Sequence, residues 1–139
     1  ETTALRPDLK VLDFDPSSDE FAQFSIVWPN SWDKGTITFK AFFTVTGTNT
    51  GSVAWGLAGV AITDDETINT AFPTPTVATA KSHSGTSNDL NVTAESGAVT
   101  ISGTPANDDM VFFQVNRDVS ADDQSGDARL LGIKINFII

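Results

Sequence analysis

This chain contains few types of side chain that can carry out acid–base or nucleophilic chemistry. It contains no Cys and a single His, so a nucleophilic triad would depend on His83 as its base. His83 lies in the polar stretch Ser82-His83-Ser84-Gly85, which lacks the strand-to-helix context of a nucleophile elbow. The sequence therefore predicts a solvated loop histidine and no triad.

Carboxylates are more abundant, and two of them on either side of a sugar could in principle hydrolyse a glycosidic bond. Most of them, however, occur in turns, where Asp accepts hydrogen bonds from the local backbone. The turn carboxylates are Asp15, Asp19, Asp64, Asp65, Asp108, Asp109, Asp122, Asp123 and Asp127. Turn formation and solubility account for them, and we expect no enzymatic activity.

The acidic loop at residues 118–127 is the best metal candidate in the sequence. Asp118, Asp122, Asp123 and Asp127 could supply oxygen ligands to Ca²⁺, which binds several such groups from flexible loops. Their spacing lacks the Asp-x-Asp-x-Asp-Gly order of an EF-hand. A solvated acidic loop is the simpler interpretation, so no cofactor is predicted and a structural calcium is kept as an alternative.

Two positions are candidates for ligand binding. Trp32 lies in a polar turn, where an exposed indole could stack on a sugar ring, although it could equally fold back as a lid over one end of the domain. Asn49 lies in a loop of small polar residues, 46–52, which could project as a recognition loop. Trp28 and Trp55 lie among alternating apolar residues and are predicted to pack in the core.

The composition excludes some partners. The 139 residues correspond to one ordinary domain, and the balance of 18 acidic and 8 basic side chains gives a net charge of −10. Such a surface repels a phosphate backbone, so nucleic acid is not a predicted partner. The apolar runs are much shorter than the roughly 20 residues of a membrane-spanning helix, and no membrane insertion is expected.

Alternation of apolar and polar residues with a period of two recurs along the chain and predicts β-strands. It is clearest at 36–45, where Ile37, Phe39, Ala41 and Phe43 share one face. The predicted strands are 11–14, 21–28, 36–45, 53–62, 90–94, 99–101, 111–115 and 131–139, with a weak edge strand around Val77. Eight or nine short strands separated by turn residues predict an all-β fold, a two-sheet antiparallel β-sandwich with a jelly roll as the favoured topology.

The segments outside the predicted strands allow more specific predictions. Turn residues at 29–35 predict a hairpin between the strands on either side, and Glu95-Ser96-Gly97 predicts a second, tight hairpin. Acidic residues followed by Ile68, Phe72 and Pro73 predict one short helix near 64–72. Residues 1–9 show no periodicity and are predicted to be an arm or linker remnant before a single domain at 10–139.

Several stretches together resemble a module found in bacteriophage and prophage virion proteins, particularly of marine and proteobacterial phages. The resemblance covers residues 12–137 and implies a β-sandwich domain of a tail fibre, head fibre or decoration protein. It also implies assembly as a homotrimer, contact with a host surface, and no catalytic motif. The residues that carry it are Leu12-Asp13-Phe14-Asp15, Asp19-Glu20-Phe21-Ala22-Gln23-Phe24, Pro29-Asn30-Ser31-Trp32-Asp33-Lys34-Gly35-Thr36, Val53-Ala54-Trp55-Gly56-Leu57 and Ala128-Arg129-Leu130-Leu131-Gly132-Ile133-Lys134.

Two functions follow as expectations. The first is a non-enzymatic structural and attachment domain of a virion, located on the virion and thus extracellular, whose partners are other copies of itself, other virion proteins and host surface polysaccharide. Apolar residues on the second strand face, such as Phe42, Val60 and Phe112, predict surface buried between subunits. The alternative is a monomeric carbohydrate-binding module of a secreted bacterial protein, with Trp32 as its stacking platform.

Overall fold

The computed structural model describes residues 4–139 and shows an all-β protein, so residues 1–3 of the predicted arm lie outside the described residues. Residues 4–11 contain no strand, and residues 4–10 are exposed. The eleven strands are β1 (Leu12–Phe14), β2 (Phe21–Val27), β3 (Thr38–Val45), β4 (Ser52–Val53), β5 (Trp55–Ile62), β6 (Thr76–Val77), β7 (Lys81–Ser82), β8 (Asn91–Val92), β9 (Ile101–Ser102), β10 (Met110–Arg117) and β11 (Ala128–Asn136).

The strands form two main sheets that pack face to face. One sheet has the order β1-β11-β3-β8, and the other has the order β2-β10-β5-β6. Their neighbours are antiparallel, while β9 joins β5 in parallel, and β4 and β7 form a separate ribbon. The predicted two-sheet sandwich is confirmed. The jelly-roll topology stays a prediction, although the chain changes sheet from β1 to β2, from β2 to β3, from β3 to β5 and from β10 to β11.

The core lies between the inner faces of the long strands. Phe39 and Phe43 of β3 face the same interior as Val111 and Phe113 of β10, and all four side chains are fully buried. Burial of each such side chain contributes about 1.5–3 kcal/mol. In β5, which is central and buried on both faces, a Cβ on Gly59 would lie 2.9 Å from a ring carbon of Phe113. Glycine is needed there because the side chains of Ile101 and Phe113 occupy that space.

Both predicted hairpins are wrong. β2 pairs with β10 and β3 pairs with β11, so the segment between β2 and β3 crosses from one sheet to the other. Glu95-Ser96-Gly97 likewise separates β8, which pairs with β3, from β9, which pairs with β5. At both places the consecutive strands lie in opposite sheets, so they face each other across the core instead of pairing side by side.

The predicted helix near 64–72 is also wrong, because the described structure has only turns and irregular backbone there. Asp65 adopts a φ of 66°, and the Glu66 N–H donates to the Thr63 carbonyl at 3.1 Å, closing a turn. The Glu66 carboxylate in turn accepts from the Thr63 N–H at 3.0 Å. Ile68 is 70% exposed, so a helix at this place would have no apolar face to bury and little to stabilise it.

Candidate functional site

A buried arginine organises the end of the sandwich at which β3 and β10 finish. Arg117 is the last residue of β10, and its side chain forms two bonds with Asp122, from Nε at 2.6 Å and from Nη2 at 3.1 Å. Both side chains are buried. Nη1 donates to the carbonyls of Phe14 at 3.0 Å and Gly126 at 2.9 Å, and Nη2 also donates to the Gln124 carbonyl. A fully paired guanidinium therefore fixes the acidic loop to the body of the domain.

Two further buried polar side chains hold a second loop at the same end. Gln124 donates from Nε2 to the carbonyls of Asn49 at 3.0 Å and Gly51 at 3.1 Å. His83 is 3% exposed, and its Nδ1 lies 2.8 Å from the Asn49 carbonyl. Because a carbonyl can only accept, Nδ1 carries the proton. The prediction of a solvated histidine is wrong, since neighbouring loops enclose the ring. We refer to Arg117, Asp122, Gln124 and His83, with the loops they hold, as the Arg117 end.

The predicted calcium ligands are engaged in other contacts. Asp122 pairs with Arg117, Asp123 accepts from the Ser52 N–H at 2.5 Å, and Asp118 accepts from the Ser120 hydroxyl at 2.6 Å. Asp127 is exposed. Among residues 4–139 no group of three or more carboxylate or imidazole side chains is placed to hold a metal ion, so the structure does not bring the four carboxylates together.

The two predicted ligand-binding residues lie at opposite ends of the sandwich. Asn49 is exposed at the Arg117 end, but its amide already donates to Ser125 at 2.7 Å and accepts from the Gly51 N–H at 2.7 Å. Trp32 follows β2 and precedes β3, whereas Asn49 follows β3, a strand of eight residues that extends over roughly 26 Å. The two side chains therefore cannot share one ligand site.

Trp32 forms a lid rather than an exposed platform. Its indole is 3% exposed and stacks on Trp28 with ring centroids 4.7 Å apart. Trp28 in turn contacts Phe137 edge-on at 5.0 Å. Trp28 and Trp55 are both buried, which confirms their predicted place in the core. The stacking face that a sugar would need is covered by the protein itself.

A polar cleft of about 640 Å³ opens beside the Arg117 end. Two arginines, Arg6 and Arg129, line it, and Arg129 also pairs with Asp13 at 3.1 Å. Asn88 and Thr46 are neutral polar residues of the lining. The cleft can accommodate an anionic or polyhydroxylated group. Its lining residues are Arg6, Pro7, Leu9, Val11, Thr46, Asn88 and Arg129.

Along one long side the sandwich is left open. β2 and β11 form the borders of the two sheets there, and between them runs an apolar groove of about 450 Å³. In the described part of the chain, β2 pairs only with β10, and β11 beyond Leu130 has no neighbour on its outer edge. We refer to these two edges and the groove as the open side. The groove is lined by Lys10, Val11, Leu12, Ala22, Gln23, Phe24, Val115, Leu130, Leu131, Gly132 and Ile133.

Among the carboxyl groups of residues 4–139, those of Asp15 and Glu95 have displaced pKa values, and both displacements have local structural causes. The hydroxyl of Ser17 donates to Asp15 and lowers the pKa of that carboxyl, with the Ser17 N–H adding to the effect. The hydroxyl of Thr38 donates to Glu95 and lowers its pKa, assisted by the amide of Asn136 at 3.1 Å. Each bond favours the charged carboxylate. The two groups lie in separate surface turns, so they form no acid–base pair.

Comparisons with protein-family models, with curated proteins and with solved structures give no match for this chain. Within residues 4–139 the structure contains no helix with the length and hydropathy of a membrane span.

Proposed function

We propose that this chain is a non-enzymatic structural and attachment domain of a phage virion appendage, which self-associates and presents its loops to a host surface. The observation that carries the proposal is the open side. Two strand edges there border an apolar groove, and exposed edges with apolar surroundings are surfaces on which further chains assemble.

Exposed apolar side chains extend this surface beyond the groove. Leu12, Phe21 and Val27 are 53%, 55% and 58% exposed, and all three lie on β1 or β2. Large apolar groups exposed on the outer strands of both sheets favour burial by another subunit. A homotrimer, bound in turn to other virion proteins, is the assembly that the resemblance to virion appendage modules implies.

The Arg117 end supports the attachment part of the proposal. Buried side chains of Arg117 and Gln124 hold its loops through hydrogen bonds to backbone carbonyls. Loops fixed in this way can bind a surface without first losing conformational freedom, which lowers the cost of binding. The polar cleft beside them is the place where a host polysaccharide would bind.

The test is the mass of the folded domain in solution, measured by light scattering over a dilution series that includes micromolar concentrations. The proposal predicts an oligomer that dissociates on dilution. A monomer at every concentration would contradict self-association. Addition of a chelator during the same series checks whether calcium contributes to assembly.

A monomeric carbohydrate-binding module is the second candidate, and the polar cleft is the observation that favours it. In this case the ligand would be an acidic sugar held by Arg6 and Arg129, and Trp32 would make no contact with it. A glycan array with the wild-type protein and Arg6→Ser tests the site. Glycan binding by the monomer that the substitution weakens would favour this function over the first.

A further inference from the structure

We propose that β2 pairs antiparallel with β2 of a second copy of the chain, with Phe24 on a two-fold axis. This inference rests on the self-association in the proposed function and names its geometry. The pairing would join the β2-β10-β5 sheets of two copies into one continuous sheet.

The β2 edge lacks the usual protection against such pairing. Its seven residues pair with β10 without interruption, from Phe21 opposite Asn116 to Val27 opposite Met110. The strand contains no charge, Pro or Gly and no bulge. Natural edge strands are commonly kept apart by such features.

The other edges of the described structure differ from β2. β11 has a bulge between Leu130 and Gly132 and carries an exposed Lys134 at its unpaired part. The outer strands β6, β8 and β9 have only two residues each, and β1 has three. Among these edges, β2 alone is long, regular and uncharged.

The side chains of β2 are complementary to their own two-fold image. Centring the pair on Phe24 places Phe21 of one copy opposite Val27 of the other and Gln23 opposite Ser25, all four on the exposed face. The two most exposed apolar residues of the strand then cover each other, and the polar residues meet in the middle. Cross-strand pairs of this kind stabilise antiparallel sheets.

On the other face of β2, the same register brings together apolar side chains of the two copies, so that their grooves become continuous. Ala22 of one copy faces Ile26 of the second, and the two Phe24 rings meet at the axis. Ala22 and Phe24 line the apolar groove of each copy. The second copy thus covers apolar side chains that the single chain leaves only partly buried.

The charges flanking β2 favour the antiparallel direction. Asp19 and Glu20 precede the strand, whereas Trp28, Pro29 and Asn30 follow it. In the antiparallel register the acidic pair of one copy lies opposite the uncharged end of the other. A parallel pair would set the acidic residues of both copies side by side, which is unfavourable. Because each copy has a net charge of −10, added salt should strengthen the dimer.

The first experiment compares the mass of the wild-type protein with those of Ser25→Lys and of a matched control, Gln114→Lys. Ser25 is exposed on the edge strand, while Gln114 lies on the same face of the neighbouring strand β10. We expect a wild-type dimer, an increase of the dissociation constant by about tenfold or more for Ser25→Lys, and a much smaller change for Gln114→Lys. Circular dichroism and urea unfolding verify that both variants are folded.

The second experiment determines the register, using the fact that the chain has no Cys. Gln23→Cys and Ser25→Cys are prepared separately and then mixed under mild oxidation. The proposed register predicts a disulfide between the two different variants and little cross-linking within either one alone. Cross-linking of Ser25→Cys with itself would overturn the register.

The possible masses distinguish this inference from the proposed function. A dimer that Ser25→Lys dissociates supports pairing through β2 and self-association, and it replaces the homotrimer of the proposed function by a two-fold dimer. A trimer, or a dimer unaffected by Ser25→Lys, overturns pairing through β2 but retains self-association. A monomer at all concentrations overturns both.

Discussion

The Arg117 end and the open side are completed in opposite ways. At the Arg117 end, buried polar side chains from one loop bond to backbone carbonyls of others, so that Arg117 and Gln124 connect segments distant in sequence. Along the open side, the backbone edge of β2 and the apolar groove have no such cover in the described residues. The described residues thus stabilise the loop end by their own hydrogen bonds, whereas completion of the long side by association is the proposal.

The largest expected effect comes from removal of the buried cation. Arg117→Met should lower the free energy of unfolding by about 3–5 kcal/mol, because it leaves Asp122 as a buried, unpaired charge. The carbonyls of Phe14, Gln124 and Gly126 also lose their donor. Urea unfolding at neutral pH measures the loss.

Arg129→Met is the matched control, since it removes the same group from a solvated ion pair. Arg129 and Asp13 have side chains that are 33% and 52% exposed, and such pairs contribute about 1 kcal/mol or less. Equal losses for the two variants would show that the Arg117 end is not held by its buried charge.

The two regions also differ in how closely their glycines are packed. A Cβ on Gly51, at the Arg117 end, would lie 2.6 Å from the Asp123 carbonyl oxygen and 2.7 Å from Cα of Gln124. Backbone atoms cannot rotate away, so Gly51→Ala should lower stability by about 1–3 kcal/mol. Thermal unfolding followed by circular dichroism provides the measurement.

The corresponding substitution on the open side should be tolerated. A Cβ on Gly132 of β11 would meet no atom within 4 Å, so Gly132→Ala should change stability by less than about 1 kcal/mol in either direction. A large loss for this variant would mean that the open side is already packed in the single chain.

Sequence periodicity predicted the strands well and their partners poorly. The alternation in β3, β10 and β11 depends on local spacing, which the sequence displays directly. Strand pairing does not depend on local spacing, because β2 pairs with β10, which comes after β3 and β5 in the sequence. The hairpin prediction at 29–35 used the turn residues correctly, but it assumed that a turn joins neighbours within one sheet.

The candidate site was less predictable for a related reason. His83 and Trp32 occur among polar residues, yet both are buried: His83 contacts the Asn49 carbonyl of a loop remote in sequence, and Trp32 packs on Trp28. Arg117 was missed altogether, although it is a charged residue at the end of an apolar strand and immediately precedes an acidic loop. A lone charge in that position indicates a buried partner close by, but only the structure shows that Asp122 is that partner.

The smallest expected effect on stability concerns Glu95, a hydrogen-bonded carboxylate at the surface. Glu95 accepts hydrogen bonds from Thr38 and Asn136, and its pKa is lowered chiefly by the Thr38 hydroxyl. A carboxyl with a lowered pKa in the folded state adds stability above its unfolded pKa, and this contribution disappears as the pH falls through the folded value. Glu95→Gln should therefore lower the urea midpoint slightly at neutral pH and leave it unchanged in acid.

Thr38→Val identifies the cause of this pH dependence. If the hydroxyl of Thr38 is the main source, Glu95→Gln should have a smaller effect in the Thr38→Val background, with the difference measured as a double-mutant cycle at several pH values. An undiminished effect would assign the lowered pKa to other groups, such as Asn136 or Lys40. Because Glu95 is exposed, its hydrogen bond with Thr38 should contribute far less to the free energy of unfolding than the buried pair of Arg117 and Asp122. The difference in solvent exposure accounts for the difference between the two interactions.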